Sequence, residues 1–190
     1  MDSDPGGLPA TYFRPRESER GMYTTKKIGD EWMATWETSE LPADADVARL
    51  TLIPYRGERA VVAWRDGVMR LPEGDVEEGE SLADAMKRIA KQQCGIAHAT
   101  TQHLGHFRYV AGARNTTHAA GSVIYDALYV VEVKDLEDFP EDQTFERRIV
   151  LQRDLNQILR GAYVERRREY TDALDRWLLE RIKAGLKTGE

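Results

Sequence analysis

The sequence predicts an α+β layered domain, because strand-like segments come first, then one helix, then more strands and finally two helices. Two observations support this class: apolar residues alternate along several segments, and two stretches carry apolar residues at helical spacing. A chain of 190 residues is long enough to bury a core as one domain with short extensions. We expect an N-terminal arm and hairpin at 1–45, the main domain at 46–184 and a short tail at 185–190.

Composition limits the class of protein. The chain is 41% hydrophobic and 32% charged, which is typical of a soluble globular protein. Its net charge of −6 argues against nonspecific nucleic-acid binding, which depends on basic surface. No apolar run is long enough for a membrane helix, and the N-terminus lacks the features of a signal peptide. The single cysteine, Cys94, excludes an internal disulfide, favours a cytoplasmic protein and is expected in the core.

The first half of the chain reads mainly as strands. Residues 1–20 predict an irregular arm that is rich in glycine, proline and arginine. Two segments that flank Gly29 and Asp30 predict a hairpin, Met22–Lys27 with Glu31–Thr38. After a linker at Leu41–Asp46, three further strands are predicted: Ala48–Pro54, Ala60–Trp64 and Val68–Leu71.

The first helix has clear start and stop signals. Ser81 is a good N-cap, and Asp84 completes a pattern that resembles a capping box. Gly95 fits the position just after the helix, where a left-handed residue ends it without a steric penalty. The apolar stripe between them has helical spacing: Leu82, Ala85, Met86, Ile89, Ala90 and Cys94.

The second half returns to strands and ends in helices. We predict strands at Leu104–Val110 and Ser122–Val133, the latter with Tyr125, Ala127 and Tyr129 on one face. An acidic loop, Lys134–Thr144, follows. A strand is predicted at Phe145–Leu151, followed by a short helix that Asp154 caps and that ends near Gly161. The last predicted element is a helix at Val164–Ala184. Its core-facing stripe is Tyr170, Leu174, Trp177, Leu178 and Ile182.

The stretch Leu71–Ile96 resembles the Nudix box, the loop–helix motif of the Nudix hydrolase family. The residues on that pattern, in register, are Gly74, Glu80, Arg88, Gly95 and Ile96. The resemblance extends over about 46–182 and implies a mixed sheet sandwiched between helices.

The resemblance also implies a function, but the three glutamates of the pattern that follow Arg88 are absent. In the family these glutamates hold Mg²⁺ or Mn²⁺ against a diphosphate, with oxygen ligands of the kind that hard cations prefer. Their positions hold Ile89, Gln92 and Gln93 here. Loss of up to three negative charges predicts little metal affinity from this helix.

The retained residues imply a supporting role. By the resemblance, Glu80 and Arg88 form a structural ion pair, and the Gly74 carbonyl is a potential metal ligand. The family often recruits a further glutamate from a distant loop, and Glu146 is the best candidate for a restored metal site with Gly74 and Glu80.

Anion binding without a metal is a second possibility. Lys87 and Lys91 lie one helical turn apart, and arginine and lysine bind phosphate directly. Arg108 and Arg114 are further candidates, since the segments that carry them resemble the family's substrate-binding wall. The four histidines match no zinc signature: His98, His103, His106 and His118.

Three hypotheses remain open. The first is a catalytically impaired Nudix-fold protein that binds a nucleotide-like or phosphorylated metabolite. The second is an active Mg²⁺- or Mn²⁺-dependent hydrolase of a nucleoside-diphosphate-linked substrate that uses Glu80 and Glu146. The third is a structural or regulatory homodimer without a small ligand.

Overall fold

A computed structural model describes residues 24–28, 31–139 and 144–185. The predicted arm at 1–20 and most of the predicted tail lie outside the described residues, as do Glu141 and Asp142 of the acidic loop. The elements are β1 Thr24–Ile28, β2 Trp32–Glu37, β3 Val47–Arg56, β4 Arg59–Arg65, β5 Val68–Arg70, β6 Glu73–Asp75, α1 Leu82–Cys94, β7 Ile96–Ala111, β8 Val123–Leu136, β9 Glu146–Leu151, α2 Gln152–Ala162 and α3 Arg167–Lys183.

The described strands form one mixed sheet in the order β1-β2-β7-β8-β3-β4-β5, with β6 on β3 and β9 on β4. The β3–β8 pair is parallel, and the other pairs are antiparallel. A parallel pair needs a long crossover. The crossover from β3 to β8 includes α1 and β7, and it places α1 across one face of the sheet.

Each face of the sheet is covered by helices. Side chains alternate along β8, so that Tyr125 and Ala127 pack in the cluster that contains Ile89 of α1. Leu128 lies on the opposite face, in the cluster that contains Leu174 of α3. We call these surfaces the α1 face and the α2–α3 face. The mixed sheet between helices confirms the predicted fold class.

The predicted limits of α1 are confirmed. The Ser81 hydroxyl accepts a hydrogen bond from the Asp84 amide at 3.1 Å. Gly95 has a φ of 62°, in the left-handed region that ends a helix. Cys94 is buried as predicted, and burial raises the pKa of its thiol to about 12.

Three local predictions were wrong. The box loop contains the strand β6, and β7 begins at Ile96 rather than at Leu104. Residues 98–102 are exposed and mostly polar, so pairing with β8, and not an apolar pattern, makes them a strand. Ile182 is 68% exposed and not in the core. By contrast, Asp154 does cap α2 as predicted, since it accepts from the Leu151 amide at 3.3 Å from within the first turn of the helix, which begins at Gln152.

The predicted hairpin forms, since β1 pairs with β2. β2 then pairs along β7, so the hairpin continues the main sheet, and Trp36 is buried on the α2–α3 face. No helix in the described residues is long and apolar enough to cross a membrane.

Candidate functional site

The box strand β6 lies close against helix α1. Gly74 of β6 pairs opposite Leu50 of β3. A Cβ atom at position 74 would lie 3.2 Å from Cγ1 of Ile89, so glycine permits this close packing. Ile89, at a position where the family pattern has glutamate, is 1% exposed. The Gly74–Ile89 contact is therefore part of the hydrophobic core.

Glu80 and Arg88 form the predicted ion pair. Nε and Nη2 of Arg88 donate to the two carboxylate oxygens of Glu80 at 2.8 Å and 2.7 Å. Arg88 also donates to the Asp75 carbonyl at 2.9 Å, and the Glu77 amide donates to Glu80 at 3.1 Å. These bonds tie the box loop to α1. The hydrogen bonds from Arg88 lower the pKa of Glu80 to about 2.

We predict that this pair loses its stabilising effect in acid. The pKa of Glu80 falls from 4.5 to about 2 in the folded protein, so the folded state binds this proton less tightly than the unfolded state. The contribution is complete above the unfolded pKa and decreases as the pH falls through the folded pKa. Urea unfolding of wild type and Glu80→Gln should show a stability difference that shrinks between pH 5 and pH 2.5, both approximate limits of that window.

Glu78→Gln is the matched control, because Glu78 is an exposed carboxylate in the same loop. Its stability difference from wild type should stay near zero throughout. A Glu80→Gln difference that did not change with pH would contradict the assignment of the stabilisation to this ion pair.

Gln93 fastens the box strand to the other end of α1. Its amide oxygen accepts from the Glu73 amide at 3.1 Å, and its amide nitrogen donates to the Glu73 carbonyl at 2.6 Å. A glutamate at this position has no hydrogen to donate when ionised, so it cannot make both bonds. Gln92, the neighbouring substituted position, is exposed.

The box residues do not fit the divalent metal that the family resemblance implies. Ile89 offers no ligand atom, and both ends of the Gln93 amide are engaged by the backbone. The Glu80 carboxylate is held by Arg88. Among the described residues, no group of three or more His, Cys, Asp or Glu side chains is arranged to hold a metal ion.

The two predicted lysines face acidic neighbours on the surface. Lys87 lies 3.8 Å from Asp84, and Lys91 lies 3.1 Å from Glu137. Both lysine side chains are more than half exposed, at 78% and 64%. Exposed ion pairs of this kind contribute little to stability, so both lysines could still bind an anion. Their side chains are not held in place by a surrounding pocket.

Glu146 is not brought together with Glu80. In an antiparallel pair, directly opposite residues share a face, and Glu146 is opposite Trp64 of β4. Alternation along β4 places Trp64 with Val62, which belongs to the α2–α3 core cluster. Glu146 therefore lies on the face away from α1, where it pairs with Arg148 at 2.6 Å.

Arg108, by contrast, lies on the α1 face. It is opposite Tyr125 of β8 and Thr35 of β2, and Tyr125 packs in the α1 cluster. Arg108 is half-buried, whereas Arg114 is exposed in the loop after β7. The Gly112 amide at the start of that loop donates to the Glu31 carbonyl at 2.7 Å. Arg108 therefore lies within the sheet, and Arg114 lies in the loop beyond the end of β7.

Two histidines beside Arg108 form a pair that the sequence interpretation missed. Nδ1 of His106 lies 3.4 Å from Nε2 of His103, and Nε2 of His106 lies 3.4 Å from a carboxylate oxygen of Glu37. His106 is fully buried, and His103 is half-buried. Burial lowers the pKa of both rings, to about 4 for His103.

A β-bulge places both histidines on one face. Residues three apart on a regular strand point to opposite faces, but the β7–β8 register shifts between His103 and Gly105. A Cβ at Gly105 would lie 2.4 Å from a ring carbon of Trp36, so only glycine fits at this bulge. An isolated glycine within a strand pattern was the one sequence signal of the bulge.

The α2–α3 face holds a partly buried charge pair. Nη2 of Arg166, between α2 and α3, donates to Asp126 of β8 at 2.8 Å and to the Tyr109 hydroxyl at 3.0 Å. Burial raises the pKa of Asp126, and Arg166 opposes that rise. This pair anchors the helical layer to the sheet.

A cavity of about 690 Å³ also lies on this side of the sheet, between β4, β5, β9 and α2. Trp64 and Glu73 line it. The cavity is separate from the core between α1 and the sheet. Glu146 lies on the same face of the sheet as the cavity, and not on the α1 face.

Comparison with known proteins defines the class of fold. No family model matches the chain, and no curated protein matches it. The chain is similar to the crystal structure of a mutant of the Bacillus subtilis pyrophosphohydrolase BsRppH, with a TM-score of 0.53 and 17% identity over 70% of this chain and 82% of that chain. At this identity the likeness shows the fold alone: the chain has the Nudix fold, as the box resemblance predicts.

Two further solved structures are less similar. An ADP compounds hydrolase is 11% identical over 84% of this chain and 96% of that chain, with a TM-score of 0.46. The NUDIX domain of Shewanella oneidensis NrtR, in complex with ADP ribose, is 13% identical over 60% of this chain and 78% of that chain, with a TM-score of 0.43. Both scores are too low to support a conclusion about this chain.

Proposed function

We propose that this protein binds a nucleotide-like or phosphorylated metabolite and does not hydrolyse it with a metal held by the box. One observation carries the proposal: the box side chains are used to build the fold. Ile89 packs in the core, Gln93 bonds the backbone of Glu73, and Glu80 is paired with Arg88. A scaffold of the Nudix fold thus remains while its metal ligands are absent.

Arg108 is the best-supported ligand residue. A guanidinium donates several hydrogen bonds in a fixed plane and suits phosphate oxygens. Its half-buried position on the α1 face strengthens an ionic contact relative to the same contact in open solvent. Tyr129 lies on the same face and is partly buried, which supplies an aromatic surface for a planar group such as a base. The fold shared with a pyrophosphohydrolase is consistent with a diphosphate ligand.

The two remaining hypotheses have less support. Hydrolysis by Glu80 and Glu146 requires both carboxylates at one metal, yet they belong to opposite faces and each is paired with an arginine. A homodimer stays a prediction, which sedimentation equilibrium of the full chain would test.

The proposal is tested by measuring ligand binding in the absence of a divalent metal. Calorimetry of the full chain in EDTA, with ADP, GDP, CDP, UDP and pyrophosphate as probes, should find at least one that binds. Arg108→Gln should weaken that binding about 10- to 100-fold, because hydrogen bonds to charged groups contribute about 1.5–3 kcal/mol.

Arg148→Gln is the matched control, because Arg148 lies on the opposite face and is 52% exposed. Its affinity for the same probe should equal that of wild type. Binding that required Mg²⁺, or that was unchanged in Arg108→Gln, would contradict the proposal.

A further inference from the structure

We propose that His103 and His106 form a binding site for a divalent transition-metal cation of the zinc class on the α1 face. The facing ring nitrogens, Nδ1 of His106 and Nε2 of His103, are 3.4 Å apart. Two imidazole nitrogens that ligate one tetrahedral zinc ion, each about 2.0–2.1 Å from it, are separated by about 3.3–3.4 Å. The pair already has the spacing that a shared cation requires.

A carboxylate lies beside the far side of the His106 ring. Nε2 of this fully buried ring is 3.4 Å from a carboxylate oxygen of Glu37, which is an ion-pair distance without hydrogen-bond geometry. Nε2 of His103 faces His106, so its Nδ1 lies on the other side of the ring. Metal-binding histidines usually donate their other N–H to a carboxylate or a backbone carbonyl in this way.

Without a metal, the two facing nitrogens lie at hydrogen-bond distance, so one ring carries its hydrogen on the facing side. A neutral imidazole can carry its single hydrogen on either nitrogen, so that hydrogen can move to the far side of the ring. Both facing nitrogens would then present lone pairs to a cation between them, and the N–H at Nε2 of His106 would point towards Glu37.

The fold holds this arrangement in place before any metal binds. The bulge at Gly105 turns His103 and His106 to the same side, and the Trp36 ring packs against that glycine. His103 lies 5.2 Å from the ring of Tyr129, measured between ring centroids. Because the rings are already positioned, a metal ion would not have to order them.

The described residues supply two ligands, so water or a bound anion would complete the coordination. Nitrogen ligands favour zinc, nickel and copper over magnesium, which prefers oxygen. The site therefore differs in place and in chemistry from the carboxylate site that the box pattern implies. It does not depend on the metabolite proposed above.

Metal titration of the full chain tests the site directly. Protein freed of metal by EDTA and dialysis is titrated with ZnSO₄ in a calorimeter, and with CoCl₂ while the visible absorption of Co²⁺ is recorded. We expect one equivalent of each ion to bind, with a Co²⁺ spectrum typical of tetrahedral coordination. His103→Gln and Glu37→Gln should each weaken Zn²⁺ binding about 10- to 100-fold.

His98→Gln and His118→Gln are the matched controls, because both histidines are exposed and lie outside the pair. They should bind Zn²⁺ as wild type does. Unchanged affinity in His103→Gln, or loss of binding in either control, would overturn the proposal. The decisive variant is His103→Gln and not His106→Gln, because His103 is only half-buried and its replacement disturbs the core less. Thermal unfolding in EDTA checks that His103→Gln is folded.

Discussion

Replacement of Ile89 by glutamate, the residue that the Nudix pattern has at this position, is expected to lower the free energy of unfolding by about 3–5 kcal/mol. Ile89 is 1% exposed and packs so near Gly74 that a Cβ atom there would lie 3.2 Å from its Cγ1. A carboxylate there is removed from water without a cation to pair with it. Urea unfolding followed by circular dichroism measures the loss.

Gln92→Glu is the control, because it makes the neighbouring family-like change at an exposed position. Its effect should be within about 0.5 kcal/mol. If Ile89→Glu were tolerated as well as Gln92→Glu, position 89 would have access to solvent or a cation, and the box would not be the packed structure described above.

Removal of the Arg166 side-chain charge is expected to be about as costly. Arg166→Met should lower the free energy of unfolding by about 3–5 kcal/mol, because it leaves the partly buried Asp126 carboxylate without its cation. The Asp126 side chain is 12% exposed, and the two groups are 2.8 Å apart. Arg166→Met combined with Asp126→Asn should recover part of the loss, since the amide carries no charge.

Arg168→Met provides the comparison, as Arg168 is 81% exposed and lies 3.8 Å from Asp172. An exposed pair of this kind contributes about 0–1 kcal/mol, so this variant should unfold nearly as wild type does. Equal losses in Arg166→Met and Arg168→Met would show that the Arg166–Asp126 pair does not anchor the helical layer.

Much of the fold can be predicted from local sequence signals. Ser81 and Gly95 define the ends of α1 because capping depends on a few neighbouring residues. The alternation of Tyr125, Ala127 and Tyr129 defines the α1 face of β8 for the same reason. The strand β6 and the first half of β7 were missed because their pairing partners, and not their own residues, make them strands.

The candidate site was less predictable. The Glu80–Arg88 pair followed from the family resemblance, and the geometry bears it out. The His103–His106 pair did not, because its spacing of three residues places both rings on one face only where a bulge intervenes. Glu37, which faces His106, comes from a strand far away in sequence. Contacts of this kind depend on strand order, which no local pattern records.

Hydrolysis assays are the most direct test of the claim that the box supports the fold and not a metal. Wild type, Glu80→Gln and Glu146→Gln are incubated with nucleoside diphosphate derivatives, with Mg²⁺ or Mn²⁺ present, and released phosphate products are measured. The predicted result is no metal-dependent turnover in wild type above the level of the two variants. Mg²⁺- or Mn²⁺-dependent turnover in wild type that is lost in Glu80→Gln would contradict it.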